Sequence, residues 1–414
     1  MTLRSAPPAA PESCLRDEGG CAISIMPDSR EKHILIVAGE ASGDLHGAAL
    51  VRAIKKLDQG IAISGIGGRK MEEAGVHITA QSSDIAVVGL TEVFSKLKKI
   101  IKAHGDMRSL LKNAGPDLLI LIDFPDFNIS LARTAVRYKV PVLYYISPQV
   151  WAWRSGRVKK IAKRVDKMAV ILPFEKDFYM KSGADIDVEY VGHPVMDAIP
   201  ERPDRETIST EMGLGSGRPV IGLLPGSRTD EINNLLPCMI GAAEMLSSRY
   251  PGMQCILPLA PTISHELVQS FIDMTTIKIT VSQSDIYSAL SACDLVLAAS
   301  GTVTLEAAVM GVPMVVAYRV SPLSFAIGKM VINVSHVSIA NLIAGREIVP
   351  ELLQDKATPL GLADRASMIL DNKDYRENMI AELAKVRESL GGKGASDRTA
   401  MIAVNMINSY SRER

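Results

Sequence analysis

Short runs of Val, Ile and Leu alternate with helical segments along this 414-residue chain, and this alternation restricts the fold more than any other feature. Buried parallel strands have this composition, and successive parallel strands are usually joined by helices. The alternation breaks at Gly192-His193-Pro194 and through the polar stretch 199–217, and then begins again. The sequence therefore predicts an α/β protein with two Rossmann-like, doubly wound lobes that face a cleft.

The predicted strands divide into two series. Those of the first series are Ile34–Ala38, Ile61–Gly65, Leu118–Ile122, Val142–Ile146, Met168–Leu172 and Val188–Val191. Those of the second series are Val220–Leu224, Gln254–Pro258, Ile277–Val281, Leu295–Ala298 and Met314–Ala317. We expect a disordered leader over 1–31, a first lobe over 32–196 and a second lobe over 197–384. A helical tail over 385–414 is expected to pack on the first lobe or on a partner subunit.

Composition disfavours several classes of protein. Lys and Arg total 46, as do Asp and Glu, and 5% of the residues are aromatic, which disfavours a nucleic-acid-binding surface. The five cysteines show neither a CxxC spacing nor a paired pattern, as expected of thiols in a reducing cytosol. No stretch approaches the ~18 apolar residues of a membrane-spanning helix, and the leader lacks the apolar core of a signal peptide.

Two turns in the second series are suited to bind phosphate. Residues 222–228 (Gly-Leu-Leu-Pro-Gly-Ser-Arg) and 300–306 (Ser-Gly-Thr-Val-Thr-Leu-Glu) each follow an apolar run and open a predicted helix. Free amides at a helix start bind anions, a guanidinium offers paired donors to phosphate, and a carboxylate can accept hydrogen bonds from both ribose hydroxyls. The residues of this predicted nucleoside diphosphate site are Gly226, Ser227, Arg228, Ser300, Gly301, Thr302 and Glu306. Ordinary turns capped by Ser and Thr are the alternative interpretation.

The first turn of the first lobe, Gly39 to Gly47, differs from the GxGxxG motif of dinucleotide-binding proteins, which disfavours a dehydrogenase. Four of its polar side chains are expected at the mouth of the cleft: Glu40, Ser42, Asp44 and His46. Capping of the next helix by Ser42 and Asp44 is the alternative.

Asp123 follows the predicted central strand Leu118–Ile122, at the edge where the catalytic groups of such sheets lie. Burial beside two Phe rings would raise the pKa of Asp123 towards the range of a general base. Asp126 and Asn128 are interpreted instead as caps of the following helix.

Both tryptophans lie at the start of the segment 151–167. This segment is basic, because it contains seven Lys and Arg residues and one Asp. A basic, aromatic surface that includes Trp151 and Arg154 suits an anionic, amphipathic partner, although a solvated basic helix has the same pattern.

A second basic segment spans 88–111. Leu90, Phe94, Leu97 and Ile101 recur there at helical spacing, among lysines. This pattern predicts either a helix that packs on the core or one that lies in a membrane interface.

Seven segments, in order from about Lys32 to past Leu353, resemble the lipid-A-disaccharide synthase family. They are Gly-Glu-Ala-Ser-Gly-Asp (39–44), Ile-Asp-Phe-Pro-Asp-Phe-Asn (122–128), Ser-Pro-Gln-Val-Trp-Ala-Trp-Arg (147–154), Val-Gly-His-Pro (191–194), Leu-Leu-Pro-Gly-Ser-Arg (223–228), Ser-Gly-Thr-Val-Thr-Leu-Glu (300–306) and Asn-Leu-Ile-Ala-Gly-Arg-Glu (341–347).

The resemblance implies a GT-B fold and an inverting glycosyltransferase that needs no metal or other cofactor. It implies transfer of 2,3-diacylglucosamine from its UDP derivative to the 6-hydroxyl of 2,3-diacylglucosamine 1-phosphate, which yields a β-1,6-linked disaccharide 1-phosphate and UDP for lipid A. It also implies a cytoplasmic protein, peripheral on the inner membrane, and is compatible with a homodimer through exchanged C-terminal parts.

In the implied glycosyl transfer, Asp123 would be the general base, and Arg228 with the helix N-termini would stabilise the departing diphosphate. Asn341 and Arg346 become cleft candidates through the resemblance alone.

Other functions fit two such lobes. An enzyme of the UDP-N-acetylglucosamine 2-epimerase type would use the same nucleotide site without a lipid acceptor, which leaves residues 88–111 and the tryptophans unexplained. A glycosyltransferase of peptidoglycan precursors shares the Ser-Gly…Glu pattern but normally has a Gly-rich first turn unlike 39–47. A non-catalytic protein would bind UDP without consuming a UDP-sugar.

Overall fold

The structure is a computed structural model that describes residues 32–85, 90–152, 155–199, 205–321, 325 and 335–413; for residues 90–95, 155 and 411–413 it describes the backbone alone. The leader predicted over 1–31 lies outside the described residues. Two parallel β-sheets form two lobes, in which strands alternate with helices. The predicted α/β, two-lobed architecture is confirmed.

The first sheet has seven strands in the order β3-β2-β1-β4-β5-β6-β7, and all its neighbouring pairs are parallel. In chain order the strands are β1 (His33–Ala38), β2 (Ala62–Gly67), β3 (His77–Gln81), β4 (Leu118–Ile122), β5 (Val142–Tyr145), β6 (Lys167–Val170) and β7 (Asp187–Tyr190).

The second sheet has six strands in the order β10-β9-β8-β11-β12-β13, again all parallel. They are β8 (Val220–Leu224), β9 (Gln254–Pro258), β10 (Ile279–Ser282), β11 (Leu295–Ala299), β12 (Met314–Tyr318) and β13 (Glu351–Leu353).

Helices connect the strands and link the lobes. Those of the first lobe are α1 (Ala41–Leu57), α2 (Arg69–Glu73), α3 (Ser82–Ile85), α4 (Leu90–Asn113), α5 (Pro125–Arg137), α6 (Val158–Ala162) and α7 (Glu175–Lys181). The segment between the two sheets contains α8 (Val195–Ala198) and α9 (Arg205–Glu211). The remaining described helices are α10 (Thr229–Arg249), α11 (His265–Ile272), α12 (Ile286–Ala292), α13 (Thr302–Met310), α14 (Ile339–Ala344), α15 (Pro359–Asp371), α16 (Lys373–Ser389) and α17 (Ala395–Glu413).

Strand β1 shows why the apolar runs are continuous. All six of its residues are buried. Ile34 and Ile36 belong to one apolar cluster, whereas Leu35 and Val37 belong to another. Because neighbouring side chains of a strand point to opposite faces, the two clusters lie on opposite faces of the sheet, and a strand covered on both faces needs apolar residues throughout.

Each sheet has one point at which the strand order reverses, between β1 and β4 in the first lobe and between β8 and β11 in the second. Ala38 pairs with Ile122 at the first switch point, and Leu224 pairs with Ala298 at the second. The turns that follow these paired strands therefore leave the sheet side by side. Doubly wound sheets bind their ligands at such places.

The C-terminal helices divide between the lobes. Leu383 of α16 belongs to the apolar cluster of the second lobe, whereas Ala403 of α17 packs in the cluster that contains Leu50 of α1. The chain therefore passes between the lobes twice. Arg398 Nε donates a hydrogen bond to the carbonyl of Val191 at 2.8 Å, which joins the two passages.

Two observed strands were not predicted from the sequence. Strand β3 is an edge strand without a fully buried residue, and β13 is an edge strand of three residues. Edge strands do not need the continuous apolar run on which the prediction depended. Among the described helices, none combines the length and the apolar content that a membrane crossing requires.

Candidate active site

Asp123 lies in a strained turn at the first switch point. Asp123 (φ 43°) and Phe124 (φ 46°) both have a left-handed backbone conformation, which costs about 1–2 kcal/mol for each non-glycine residue. Burial raises the pKa of Asp123 to about 7; the charge of Glu40 acts in the same direction, whereas the backbone amide of Phe124 opposes it. A carboxyl group with this pKa can gain and lose a proton at neutral pH, as a general base must.

Asp126 and Asn128 do not cap α5 as the sequence suggested. The N-cap residue of this helix is Phe124, and none of the described side chains caps its start. Asp126 forms an exposed ion pair with Arg157 instead. Asn128 is fully buried, and its Nδ2 donates hydrogen bonds to the carbonyls of the two residues before Phe124, at 3.2 and 2.7 Å. Asn128 therefore holds the turn that carries Asp123.

The polar residues after β1 have different environments. Glu40 and Ser42 are exposed at the start of α1, and within the described ranges no side chain caps that helix. Asp44 is buried, and its Oδ1 accepts hydrogen bonds from the amides of Gly68 at 2.7 Å and Met71 at 3.0 Å. Asp44 thus holds the start of α2 within its own lobe, which corrects its assignment to the ligand cleft.

His46 is half-buried and lies with residues of the segment between the lobes. Burial lowers the pKa of His46 to about 4, although the charge of Asp197 opposes this. His193 is buried, its Nδ1 accepts the amide of Val195 at 3.0 Å, and burial and His46 lower its pKa to about 3. Both imidazoles are therefore neutral at pH 7. Within the described ranges, no group of three or more His, Cys, Asp or Glu side chains is arranged to hold a metal ion.

The turn after β8 is held by Glu231 of the same chain. Its Oε2 accepts hydrogen bonds from the amides of Ser227 at 2.9 Å and Arg228 at 3.3 Å, and a Cβ at Gly226 would lie 2.1 Å from that oxygen. These amides are therefore not free for a phosphate, contrary to the expectation from sequence. The guanidinium of Arg228 is 55% exposed and lies 3.6 Å from Glu231. Glu231 was missed, although an acidic residue at the third helical position is a known capping signal.

Helix α13, at the second switch point, does begin with uncapped amides. Gly301 precedes it in an extended conformation, and no side chain in the described part of the chain caps the amides of Thr302 and Val303. The hydroxyl of Ser300 donates to the carbonyl of Val337 at 2.7 Å, so Ser300 holds the segment before α14. Exposed amides at the start of a nine-residue helix form a site for an anion.

Glu306 lies on the second turn of α13 and is half-buried. Burial raises the pKa of Glu306 to about 7, and its charge adds to burial in raising the pKa of Tyr287. The Glu306 carboxyl group forms no hydrogen bond or ion pair with a described residue. Partly buried polar groups without partners cost free energy. A ligand with hydroxyl groups can donate hydrogen bonds to this carboxyl group.

The side chain of Trp151 makes two contacts within the first lobe. Its ring packs edge-on against Phe174, with 5.0 Å between centroids, and its indole N–H donates to Glu175 at 3.2 Å. Glu175 is buried and also accepts two backbone amides, and burial raises its pKa to about 7. Glu175 therefore fixes the position of the predicted aromatic surface.

Of three further candidates, one lies outside the described residues and two contact other residues of the second lobe. Arg154 lies outside the described residues. Asn341 is fully buried; its Nδ2 donates to Glu351 at 2.7 Å, and its Oδ1 accepts two backbone amides. It is therefore a structural residue of the second lobe, which corrects its assignment to the cleft. Arg346 forms an ion pair with Glu382 of α16.

Helix α4 has a buried face and an exposed apolar pair. The side chains of Leu90 and Phe94 lie outside the described residues. Leu97 is 43% exposed and Ile101 is 62% exposed, whereas Met107 is fully buried. The apolar stripe predicted from the sequence thus does not pack on the core at Leu97 and Ile101.

Comparison with known proteins gives the family. The family model described as lipid-A-disaccharide synthetase matches residues 34–405. The lipid-A-disaccharide synthase of Geobacter sulfurreducens is 47% identical over 382 residues, which cover 92% of this chain and 99% of that one. The lipid-A-disaccharide synthase of Nitrosococcus oceani is 44% identical over 374 residues, covering 90% and 96%.

Solved structures share the fold at low identity. The complex of S. aureus MnaA with UDP has a TM-score of 0.63 and 14% identity, and covers 92% of this chain and 97% of that chain. MurG of Acinetobacter baumannii has a TM-score of 0.56 and 16% identity, with 90% and 99% covered. The two lobes thus have the GT-B architecture, and on the evidence of the family model and the relatives the chain belongs to the lipid-A-disaccharide synthetase family.

Proposed function

We propose that this chain transfers 2,3-diacylglucosamine from UDP-2,3-diacylglucosamine to the 6-hydroxyl of 2,3-diacylglucosamine 1-phosphate. Membership of the lipid-A-disaccharide synthetase family makes the chain a glycosyltransferase. One observation carries the assignment of the site: a candidate base, Asp123, and a candidate nucleotide site, at α13, each follow a strand at one of the two switch points.

In the proposed reaction Asp123 is the general base. Its carboxylate takes the proton of the acceptor 6-hydroxyl while that oxygen attacks C1 of the donor sugar on the face opposite the diphosphate. The bond between C1 and the diphosphate oxygen breaks, its electron pair leaves with UDP, and the configuration at C1 inverts. A pKa of about 7 supports this role, because the group is then largely ionised slightly above neutral pH.

The donor nucleotide is proposed to bind at α13. The uncapped amides of Thr302 and Val303 and the guanidinium of Arg228 would hold the diphosphate and stabilise the charge that develops as it leaves. Glu306 would accept hydrogen bonds from the ribose hydroxyls. This contact would give its half-buried carboxyl group the donors that the described residues do not supply.

The acylated acceptor is proposed to approach the first lobe from the membrane. Trp151 and the basic residues of 151–167 offer aromatic and positively charged groups to an acylated phosphate. Leu97 and Ile101 are exposed on α4 beside the exposed Lys98 and Lys102. Apolar side chains between lysines suit peripheral binding to the cytoplasmic face of the inner membrane.

A reconstitution with both substrates tests this function. The purified protein is incubated with UDP-2,3-diacylglucosamine and 2,3-diacylglucosamine 1-phosphate, and mass spectrometry should detect disaccharide 1-phosphate and UDP in equal amounts. Omission of the acceptor should abolish UDP release. Conversion of the UDP-sugar without acceptor would favour an epimerase, and UDP binding without consumption of the UDP-sugar by folded protein would favour a binding protein; either result overturns the proposal.

A further inference from the structure

The turn that carries Asp123 is conformationally unusual. Asp123 and Phe124 are the one pair of consecutive non-glycine residues with left-handed φ values in the described part of the chain. Such conformations persist where the surrounding structure fixes them, and they cluster at functional sites. The contacts of this turn therefore indicate which residues maintain it.

Two side chains converge on the carbonyl oxygen of Asp123. Asn128 Nδ2 donates to it at 2.7 Å and also to the carbonyl of Ile122 at 3.2 Å. The hydroxyl of Tyr144, from the neighbouring strand β5, donates to the same Asp123 oxygen. Both donor side chains are fully buried. The peptide between Asp123 and Phe124 is thereby fixed in orientation.

The ring of Phe124 fixes the other side of the turn. It lies directly over Gly39, where an added Cβ would be 2.3 Å from Phe124 Cγ. It also stacks on Phe127 of α5, with 5.3 Å between centroids and 30° between planes. The ring is thus clamped between the turn after β1 and helix α5, and a residue larger than glycine has no room at position 39.

We propose that Tyr144 and Asn128 are positioning residues for catalysis, which fix the Asp123–Phe124 peptide and thereby aim the Asp123 carboxyl group at the acceptor hydroxyl. This inference rests on the proposed role of Asp123. Without these donors the peptide can rotate towards the less strained right-handed region, and the carboxyl group moves with it. A displacement of about 1 Å in a reacting group can cost about 100-fold in rate.

Two adjacent tyrosines of β5 provide a matched test. Tyr144 and Tyr145 are both fully buried, but on opposite faces of the sheet: the Tyr145 hydroxyl lies near Ser396 and Thr399 of α17 and does not bond to Asp123. Tyr144→Phe should lower kcat by about 10- to 100-fold, while KM for the UDP-sugar and the UDP affinity stay within about twofold. Tyr145→Phe should retain kcat within about twofold. In the Asp123→Asn background, Tyr144→Phe should have little further effect, because no base remains to be aimed.

The outcomes separate this inference from the proposed function. If Asp123→Asn is strongly impaired but Tyr144→Phe behaves like Tyr145→Phe, the positioning role is overturned and the base is kept. If Tyr144→Phe lowers kcat equally with and without Asp123, its role is structural and the inference fails. Near-normal turnover of Asp123→Asn would remove the proposed base, and the positioning role with it.

A second pair of variants applies if Tyr144→Phe does not fold. Phe124→Ala and Phe124→Gly both lack the clamped ring, but glycine adopts the left-handed conformation without strain. Phe124→Gly should therefore melt at a higher temperature than Phe124→Ala and yet be no more active. Activity that instead rises with the melting temperature in this pair would overturn the proposal.

Discussion

Glu40 and Asp123 follow the two strands that meet at the switch point of the first lobe, and the charge of Glu40 raises the pKa of Asp123. Burial is the larger cause of the raised pKa of Asp123, about 7, and the negative charge of Glu40 adds to it. Since Glu40 is exposed, its charge can be removed without disturbing the core. The pair therefore allows the pKa of the proposed base to be changed without replacing the base itself.

Removal of the Asp123 carboxyl group should stop the chemistry and leave nucleotide binding intact. Asp123→Asn is expected to lower turnover by ~10²–10⁴-fold, the usual contribution of a general base. UDP affinity, measured by calorimetry, should stay near that of the unchanged protein, because UDP is proposed to bind the other lobe. Near-normal turnover of Asp123→Asn would exclude Asp123 as the base, and Glu40 or His46 would then be replaced.

The pH dependence of kcat/KM should report the pKa of Asp123. A general base must be ionised to act, and a raised pKa moves ionisation of the carboxyl group to higher pH. Activity should therefore rise as the pH increases through about 7. Glu40→Gln removes a negative charge that disfavours ionisation of Asp123. The rise should therefore move to lower pH in this variant. A rise that stays in place or moves to higher pH would contradict the arrangement of the two carboxyl groups.

Arg228 should contribute to the binding and departure of the diphosphate. Arg228→Ala removes a charge-assisted contact worth ~1.5–3 kcal/mol and should weaken UDP binding about 10- to 100-fold. Arg249→Ala is a suitable control, since Arg249 is another exposed arginine of the second lobe, paired with Asp371. Equal UDP affinities of the two variants in calorimetry would mean that Arg228 does not touch the nucleotide.

Glu306 should determine recognition of the ribose. Glu306→Ala is expected to bind UDP and its 2′-deoxy analogue with nearly equal affinity, whereas the unchanged protein should prefer UDP. Glu306→Gln keeps one acceptor oxygen and should retain part of the preference. The two affinities are compared by calorimetry for each protein. An undiminished preference for UDP in a folded Glu306→Ala protein would show that another group contacts the ribose.

The parts of the fold that were predicted are those fixed by local composition. The bounds of β4, β8 and β9 agree with the sequence, because strands covered on both faces carry an unbroken apolar run between polar turns. The edge strands β3 and β13 have no such run. Asp123 could be located because it follows the clearest of these strands.

The contacts around the site could not be predicted, because they join distant residues. Tyr144 reaches the carbonyl of Asp123 across 21 positions of sequence, and Asp44 reaches Gly68 across 24. Both contacts exist because particular strands and helices become neighbours. The left-handed turn is also invisible in the sequence, since neither Asp123 nor Phe124 is a glycine. The capping role predicted for Asn128 was wrong, because its side chain bonds to the carbonyls of this turn and not to the amides at the start of α5.

The exposed apolar pair of α4 should contribute to binding at a membrane surface. Replacement of Leu97 and Ile101 by Ser is expected to weaken binding to vesicles that contain anionic phospholipid by about tenfold or more, because each buried apolar side chain contributes about 1.5–3 kcal/mol. The apparent KM for the acylated acceptor should rise. The melting temperature should change little, since these side chains are 43% and 62% exposed.

Leu57→Ser, at an apolar residue of α1 that is 51% exposed, is the matched control and should leave vesicle binding unchanged. A large fall in melting temperature with unchanged vesicle binding would show that the pair packs within the protein and does not contact lipid.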